Sequence, residues 1–305
     1  MVTPFGTTFD MTASPLELRG AFTALITPFR NGEVDEDALR RQVRFQIDGN
    51  VAGLVPVGTT GESPTVSTDE HKRIIEIVLD EAAGQVPVIP GAGSYNTKHA
   101  EEMHRFAKSV GAAAVLSVNP YYNKPTQDGL HAHFMHLSDA VDIPIVLYNI
   151  PGRCGVAMTA ETIAKLFADA PIAAVKEATG DITMATRIRQ LCQVPILSGD
   201  DPMTLPIMSV GGVGVISVVS NLVPAEVSKL CQLASDGKFA EAAELHHKLF
   251  GLTTSVFLDG NPAGVKHAMQ RLGRDSGEIR LPLVPVTTAT GDTIDDELRT
   301  LKMLS

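Results

Sequence analysis

From residue 20 onward the chain alternates short apolar runs with longer stretches of helical period. Residues 21–26 (AFTALI) form the first run and close in Thr27-Pro28. Asp35 then stands where a helix cap belongs, with Leu39, Val43 and Ile47 on one face and a stop at Gly49. Residues 52–57 read as a second strand, although Pro56 removes a ladder donor late in it. Ser67 with Glu70 makes a capping box for a helix that turns Ile74, Ile75, Val78, Leu79 and Ala82 inward and ends at Gly84. Residues 88–90 are the third strand, and Thr97 is expected to cap a helix through Met103, Phe106 and Ala107 to Gly111. Strands at 113–118 and 145–148 flank a helix over 126–140, and Thr159 caps the helix that follows. The sixth strand, 172–176, leads to a helix capped by Asp181 that carries Met184, Ile188 and Leu191. Runs at 196–198 and 214–218 complete the set.

Pro87, Pro144, Pro171 and Pro195 each stand directly before an apolar run. Proline stops the preceding helix and is tolerated at the first position of a strand. Strands alternating with helices specify a parallel α/β sheet, and eight such units favour a closed (β/α)8 TIM barrel. No GxGxxG follows the first strand, which argues against an open dinucleotide-binding sheet. Beyond Pro224 the pattern turns helical, over 225–235, 239–249, 261–272 and 292–303. The expected division is a weakly packed extension at 1–18, the barrel at 19–234 and a C-terminal helical region at 235–305.

Composition narrows the class. The 305 residues are 44% hydrophobic and 20% charged, as in a folded globular enzyme. A net charge of −10 with no basic cluster argues against a nucleic-acid partner. Cys154, Cys192 and Cys231 lie far apart with no CxxC pair, which fits a reducing compartment and no structural metal site. No apolar run approaches the roughly 20 residues that span a bilayer, and the first 18 residues lack a secretory pattern. The expectation is a cytoplasmic protein with neither a membrane nor a nucleic-acid partner.

In such a barrel the active site lies at the C-terminal ends of the strands. Those ends carry Thr27, the GTTGES loop at 58–63, NPYY at 119–122, YNIPGR at 148–153, Lys176, Gly199-Asp200-Asp201 and Ile216-Ser217. Lys176 closes a buried run, where lost hydration favours the neutral, nucleophilic amine that forms a Schiff base with a ketone. Carbinolamine formation and dehydration move protons, which the Tyr148 hydroxyl can carry with a threonine beside it. The glycines, threonines and exposed amides of the loop suit a small carboxylate. Asp200 or Asp201 reads as the N-cap of the next helix. His133 and His136 share a helix face but lack the further ligand that a zinc site needs. Gly211 to Gly214 precede or open the eighth strand rather than follow it, the wrong side for a phosphate loop.

GTTGES, NPYYNKP (119–125), YNIPGR, VKEATGD (175–181), SGDD (198–201) and GVIS (214–217) together resemble the 4-hydroxy-tetrahydrodipicolinate (dihydrodipicolinate) synthase family. These are pyruvate-dependent class I aldolases, a group that includes N-acetylneuraminate lyase. The resemblance runs from about residue 21 to 283. It implies a lyase in which Lys176 forms the imine with pyruvate, so that no separate cofactor is needed. It further implies Tyr148 as general acid/base, helped by Thr59 and by Tyr122, which reaches into a neighbouring subunit's site. Thr60, Ile216 and Gly199 are placed among the pyruvate-binding residues, and Arg153 grips the carboxylate of L-aspartate 4-semialdehyde. The implied product is 4-hydroxy-tetrahydrodipicolinate, the committed step toward diaminopimelate and lysine, and the implied assembly is a homotetramer. A sugar-acid aldolase is the sibling alternative, and Arg153 speaks against it. A barrel kept only as a scaffold or sensor would not need every catalytic position filled. Thr68, Tyr95 and His99 stand where lysine-inhibited members carry histidine, asparagine and glutamate, although Tyr121 and His71 match them, so weak or absent lysine inhibition is expected.

Overall fold

A computed structural model describes residues 16–305. The first strand, β1 (Gly20–Ala24), is followed by a small hairpin, β2 (Phe29–Arg30) and β3 (Glu33–Val34), then by α1 (Glu36–Asp48) and β4 (Gly53–Val55). Next come α2 (Thr68–Ala82), α3 (Thr97–Ser109), β5 (Val115–Val118), α4 (Gln127–Ala140) and β6 (Ile145–Asn149). A four-residue helix, α5 (Pro151–Cys154), precedes α6 (Ala160–Asp169), β7 (Ile172–Glu177) and α7 (Ile182–Leu191). The series continues with β8 (Ile196–Ser198), α8 (Thr204–Ser209), β9 (Gly214–Ser217) and α9 (Pro224–Ser235). It ends with α10 (Phe239–Ser255), α11 (Ala263–Arg271) and α12 (Thr288–Thr300).

Seven parallel strands lie in the order β4-β1-β9-β8-β7-β6-β5. The segment expected as a third strand is reduced to two isolated bridges, Leu54 to Val88 and Gly91 to Leu116. It nevertheless joins the two sheet edges, because Leu54 N–H donates to the Pro87 carbonyl and Leu116 N–H to the Pro90 carbonyl. Prolines at 87 and 90 remove two donors, which is why regular pairing fails there. The result is an eight-position (β/α)8 barrel. At the other proline-led strands the carbonyl is again used: Val115, Ile145 and Val175 donate to Pro144, Pro171 and Pro195.

Alternation sorts the side chains. Phe22, Val55, Ile89, Leu116, Val146, Tyr148, Ala174, Leu197 and Ile216 share the barrel interior. The opposite face of the strands meets the helical shell through residues such as Leu54, Val115, Leu147 and Val175. Leu18 is buried with the interior set, so the chain is packed from there. The expectation of a loose 1–18 therefore fails at Leu18, and residues 1–15 of it lie outside the described residues. Helices α9, α10, α11 and α12 share a third cluster with Ala21 and Val215.

Local chemistry sets the helix starts. Asp35, Ser67, Thr126, Thr159 and Asp181 each accept from a backbone N–H of the first turn. Two expectations change. Asn96, not Thr97, caps α3 by accepting from Lys98 N–H, and the Thr97 hydroxyl pairs instead with His133 Nδ1 at 2.9 Å. Leu191 ends α7 exposed, so only Ala185 and Ile188 are buried on that helix. The capping box of α2 is complete, with Ser67 and Glu70 satisfying each other's backbone N–H groups. Ser67→Ala should therefore cost about 1 kcal/mol in chemical denaturation, with an unchanged denaturant slope. A shift within error of zero would contradict that role.

Candidate active site

Strand parity brings the key pair together. Tyr148 on β6 is the register partner of Lys176 on β7, so both point into the barrel. The Lys176 ammonium nitrogen lies 4.1 Å from the centroid of the Tyr148 ring, and the residue is only 5% exposed. Gly199 makes room for the lysine stem: a Cβ there would sit 3.1 Å from Lys176 Cε and 2.7 Å from Ala178 Cβ. Burial pulls the Lys176 amine down to about 7, with Arg153 adding to the effect and Asp201 opposing it. Among the described residues no carboxylate comes within 4.0 Å of this amine. A large fraction is thus neutral near pH 7 and able to attack a carbonyl.

Tyr148 is pushed up to about 12 by burial, opposed by Arg153 and by the neighbouring Thr59 side chain, which lines the same small cavity. Its hydroxyl therefore keeps its proton and can pass one on. Thr59 belongs to the turn at 58–63, in which Gly61 and Ser63 N–H both donate to the Gly58 carbonyl and Glu62 N–H donates to Thr59. Gly61 is packed too tightly for a side chain, since a Cβ would lie 3.0 Å from the Val57 backbone. Thr60 is buried and accepts from Asn261 Nδ2 at 3.0 Å. Arg153 sits in α5 and donates to the Asn261 carbonyl at 3.3 Å. Ile216 on β9 faces the interior.

Lys176, Tyr148, Thr59, Thr60, Arg153, Gly199 and Ile216 thus all line one end of the barrel. Tyr122 does not join them: it is 90% exposed, in a left-handed backbone conformation with φ of 70°. Asp201 corrects the capping expectation. Its buried carboxylate caps no helix of its own but accepts from Ser217 Oγ (2.5 Å), Val218 N–H (2.9 Å) and Val219 N–H (3.2 Å). It ties the loop after β8 to the end of β9, and Asp200 makes no side-chain cap either. The histidines of α4 are engaged elsewhere: His131 with Asp169, His133 with Thr97 and His136 with Glu101. Among the described residues no group of three His, Cys, Asp or Glu side chains is disposed to hold a metal ion.

Sequence reasoning passed over Asn261, Lys266 and the role of Asp201. Asn261 touches both Thr60 and Arg153 although it lies about 200 residues from the first. Only the Asn-Pro step at 261–262 marked it, and that pattern reads as an ordinary helix start.

Residues 17–301 match the model of the dihydrodipicolinate synthetase family. A 4-hydroxy-tetrahydrodipicolinate synthase of Methylobacterium radiotolerans is 50% identical over 95% of this chain and 97% of its own length. One from Oleidesulfovibrio alaskensis is 47% identical over 89% of this chain and 94% of its own. A crystal structure of a dihydrodipicolinate synthase superposes with a TM-score of 0.93 at 45% identity, covering 94% of this chain and all of that one.

A depressed lysine also leaves a mark on stability. The native amine titrates near 7 and the unfolded one near 10.5, so between these values the unfolded chain binds more protons and stability rises with pH. Below about pH 7 the full burial penalty is present. Lys176→Met removes it. Thermal unfolding of the variant is expected above wild type at about pH 6, with the gap narrowing toward about pH 10. A variant no more stable than wild type at the lower pH would contradict the depressed amine.

Proposed function

The chain belongs to the dihydrodipicolinate synthetase family, and from that premise we propose the course by which it joins pyruvate to L-aspartate 4-semialdehyde. The protein is a lyase of the activity its relatives are named for, 4-hydroxy-tetrahydrodipicolinate synthesis. The observation that carries the mechanism is the inward, desolvated amine of Lys176 in register with Tyr148.

The neutral Lys176 amine adds to the pyruvate ketone, and the carbinolamine loses water to give an imine. Tyr148 relays the protons, with the Thr59 hydroxyl beside it in the same cavity as its relay partner. Thr60 and the Ile216 backbone receive the pyruvate carboxylate, and Gly199 leaves the space the lysine stem needs. Loss of a methyl proton converts the imine to an enamine. Its carbon attacks the aldehyde, whose oxygen takes up a proton. The substrate's own amine then closes the ring by attacking the former ketone carbon, and Lys176 leaves as free amine. The covalent link is to the substrate itself, so no dissociable cofactor enters these steps.

Arg153 supplies the second anchor. Its planar fork matches a carboxylate, and among the described residues its side chain donates to the Asn261 carbonyl alone, leaving donors for a ligand. The curated relatives' activity favours this aldehyde over a sugar acid. The bare exposure of Tyr122 supports a role completed in a neighbouring subunit, and with it the homotetramer. No helix among the described residues is long and apolar enough to cross a membrane. For feedback, a cleft lined by Ser63, Tyr95, Asn96, His99, Glu102 and Tyr121 lies beside the GTTGES loop. Its one carboxylate, Glu102, is engaged with His99 at 3.7 Å, which supports weak or absent inhibition by lysine.

Three outcomes follow. Borohydride reduction in the presence of pyruvate should inactivate the protein and add the reduced pyruvyl group to the peptide carrying Lys176. Modification elsewhere, or none, would defeat the mechanism. Arg153→Ala should still trap pyruvate but lose on the order of 10- to 100-fold in kcat/KM for the semialdehyde, as loss of a charge-assisted contact implies. Unchanged kinetics would remove Arg153 from the site. Steady-state assays should show no submicromolar inhibition by lysine; finding it would overturn that expectation.

A further inference from the structure

Two residues beyond the Thr59-Thr60 pair, Glu62 holds a left-handed backbone conformation, with φ of 55°. That conformation is unfavourable for a residue with a side chain and persists where its surroundings over-determine it. Here the surroundings come from the other end of the chain. Lys266 on α11 donates to Glu62 Oε1 at 2.5 Å, and both side chains are closed off from solvent, at 1% and 0% exposure. Arg280 N–H donates to Glu62 Oε2 at 3.0 Å. Lys266 also donates to the Glu278 carbonyl at 2.7 Å and lies 4.3 Å from the centroid of the Phe29 ring. Arg280 covers the same ring at 4.0 Å and forks onto Glu70.

The clamped residue sits within the turn that carries the chemistry. Glu62 N–H bonds the Thr59 carbonyl, and Gly61 between them is fixed by Thr27 Oγ1 at 2.7 Å. Moving Glu62 therefore moves Thr59 and Thr60. A buried ion pair is weak evidence for stability in itself, since an apolar pair of equal volume often does as well. Its value here is geometric, because it holds one end of a short turn in a conformation that the turn would not choose.

We propose that Lys266 is a positioning residue: through Glu62 it sets Thr59 against Tyr148 and Thr60 against the keto-acid carboxylate. The proposal rests on the pyruvate reading above, and its test separates the two. Wild-type protein is trapped with borohydride over a series of pyruvate concentrations, alongside Lys266→Met, Glu62→Gln and the double variant. Both single variants are expected to raise the half-saturating pyruvate concentration by about 10- to 100-fold, the scale of a misplaced binding group. The pH midpoint of trapping should stay where it is in wild type, because Lys176 itself is untouched. The double variant should be no worse than either single one, since the two residues act as a unit. It also leaves no lone buried charge, so it decides the matter where a single variant fails to fold. A double variant with wild-type half-saturation, or single variants that lose only thermal stability, would overturn the proposal. Failure of wild type to trap pyruvate would instead overturn the reading on which it rests.

Discussion

One desolvated amine governs this site. Lys176 sits inside the barrel at 5% exposure, with an aromatic face for its neighbour and, among the described residues, no carboxylate in contact. A buried ammonium without a partner is expensive, and a lysine answers by releasing its proton. The negative group that opposes this is Asp201, whose carboxylate is occupied by the Ser217 hydroxyl and two backbone N–H groups. Its charge opposes the lowering of the amine from a distance, while its hydrogen bonds are all made to the β8–β9 junction. Arg153 works in the same direction as burial. The fold thus keeps a nucleophile ready near neutral pH by withholding the counter-ion that a structural lysine would have.

The barrel provides this by simple parity. Ala174 and Lys176 on β7, like Val146 and Tyr148 on β6, alternate toward the interior, so the apolar layer below and the reactive layer above share one register. A slip by one residue would put Glu177 and Asn149 inside and send the amine into the helical shell. Those two residues instead pair outside the barrel, Asn149 Nδ2 donating to Glu177 Oε2 at 3.1 Å. The C-terminal helices complete the device from above. Asn261 holds Thr60 and Arg153 at once, and Lys266 closes on Glu62. The groups proposed to bind two different carboxylates are thereby referred to one common segment.

Much of this was legible in the sequence because it is local. The barrel follows from eight apolar runs with proline entries, and Lys176 and Tyr148 follow from their places at strand ends. Caps at Asp35, Ser67, Thr159 and Asp181 obey nearest-neighbour chemistry. What failed was non-local or a contest between adjacent residues. Asn96 outcompeted Thr97 for α3 because the threonine hydroxyl has a better use against His133. Asp201 looked like a cap for the chain ahead of it, but the open N–H groups it satisfies belong to residues 218 and 219. The third strand lost its ladder to Pro87 and Pro90, and Asn261 and Lys266 reach partners about 200 residues away, where no window of sequence could pair them.

The most direct test is to titrate the ε-amine of Lys176 itself, by the pH dependence of its reductive methylation with isotope-labelled formaldehyde, read at the Lys176 peptide by mass spectrometry. A midpoint near 7 is expected for a buried amine without a counter-ion. A midpoint close to the ordinary 10.5 would mean that the amine is solvated or paired, and the account would be wrong.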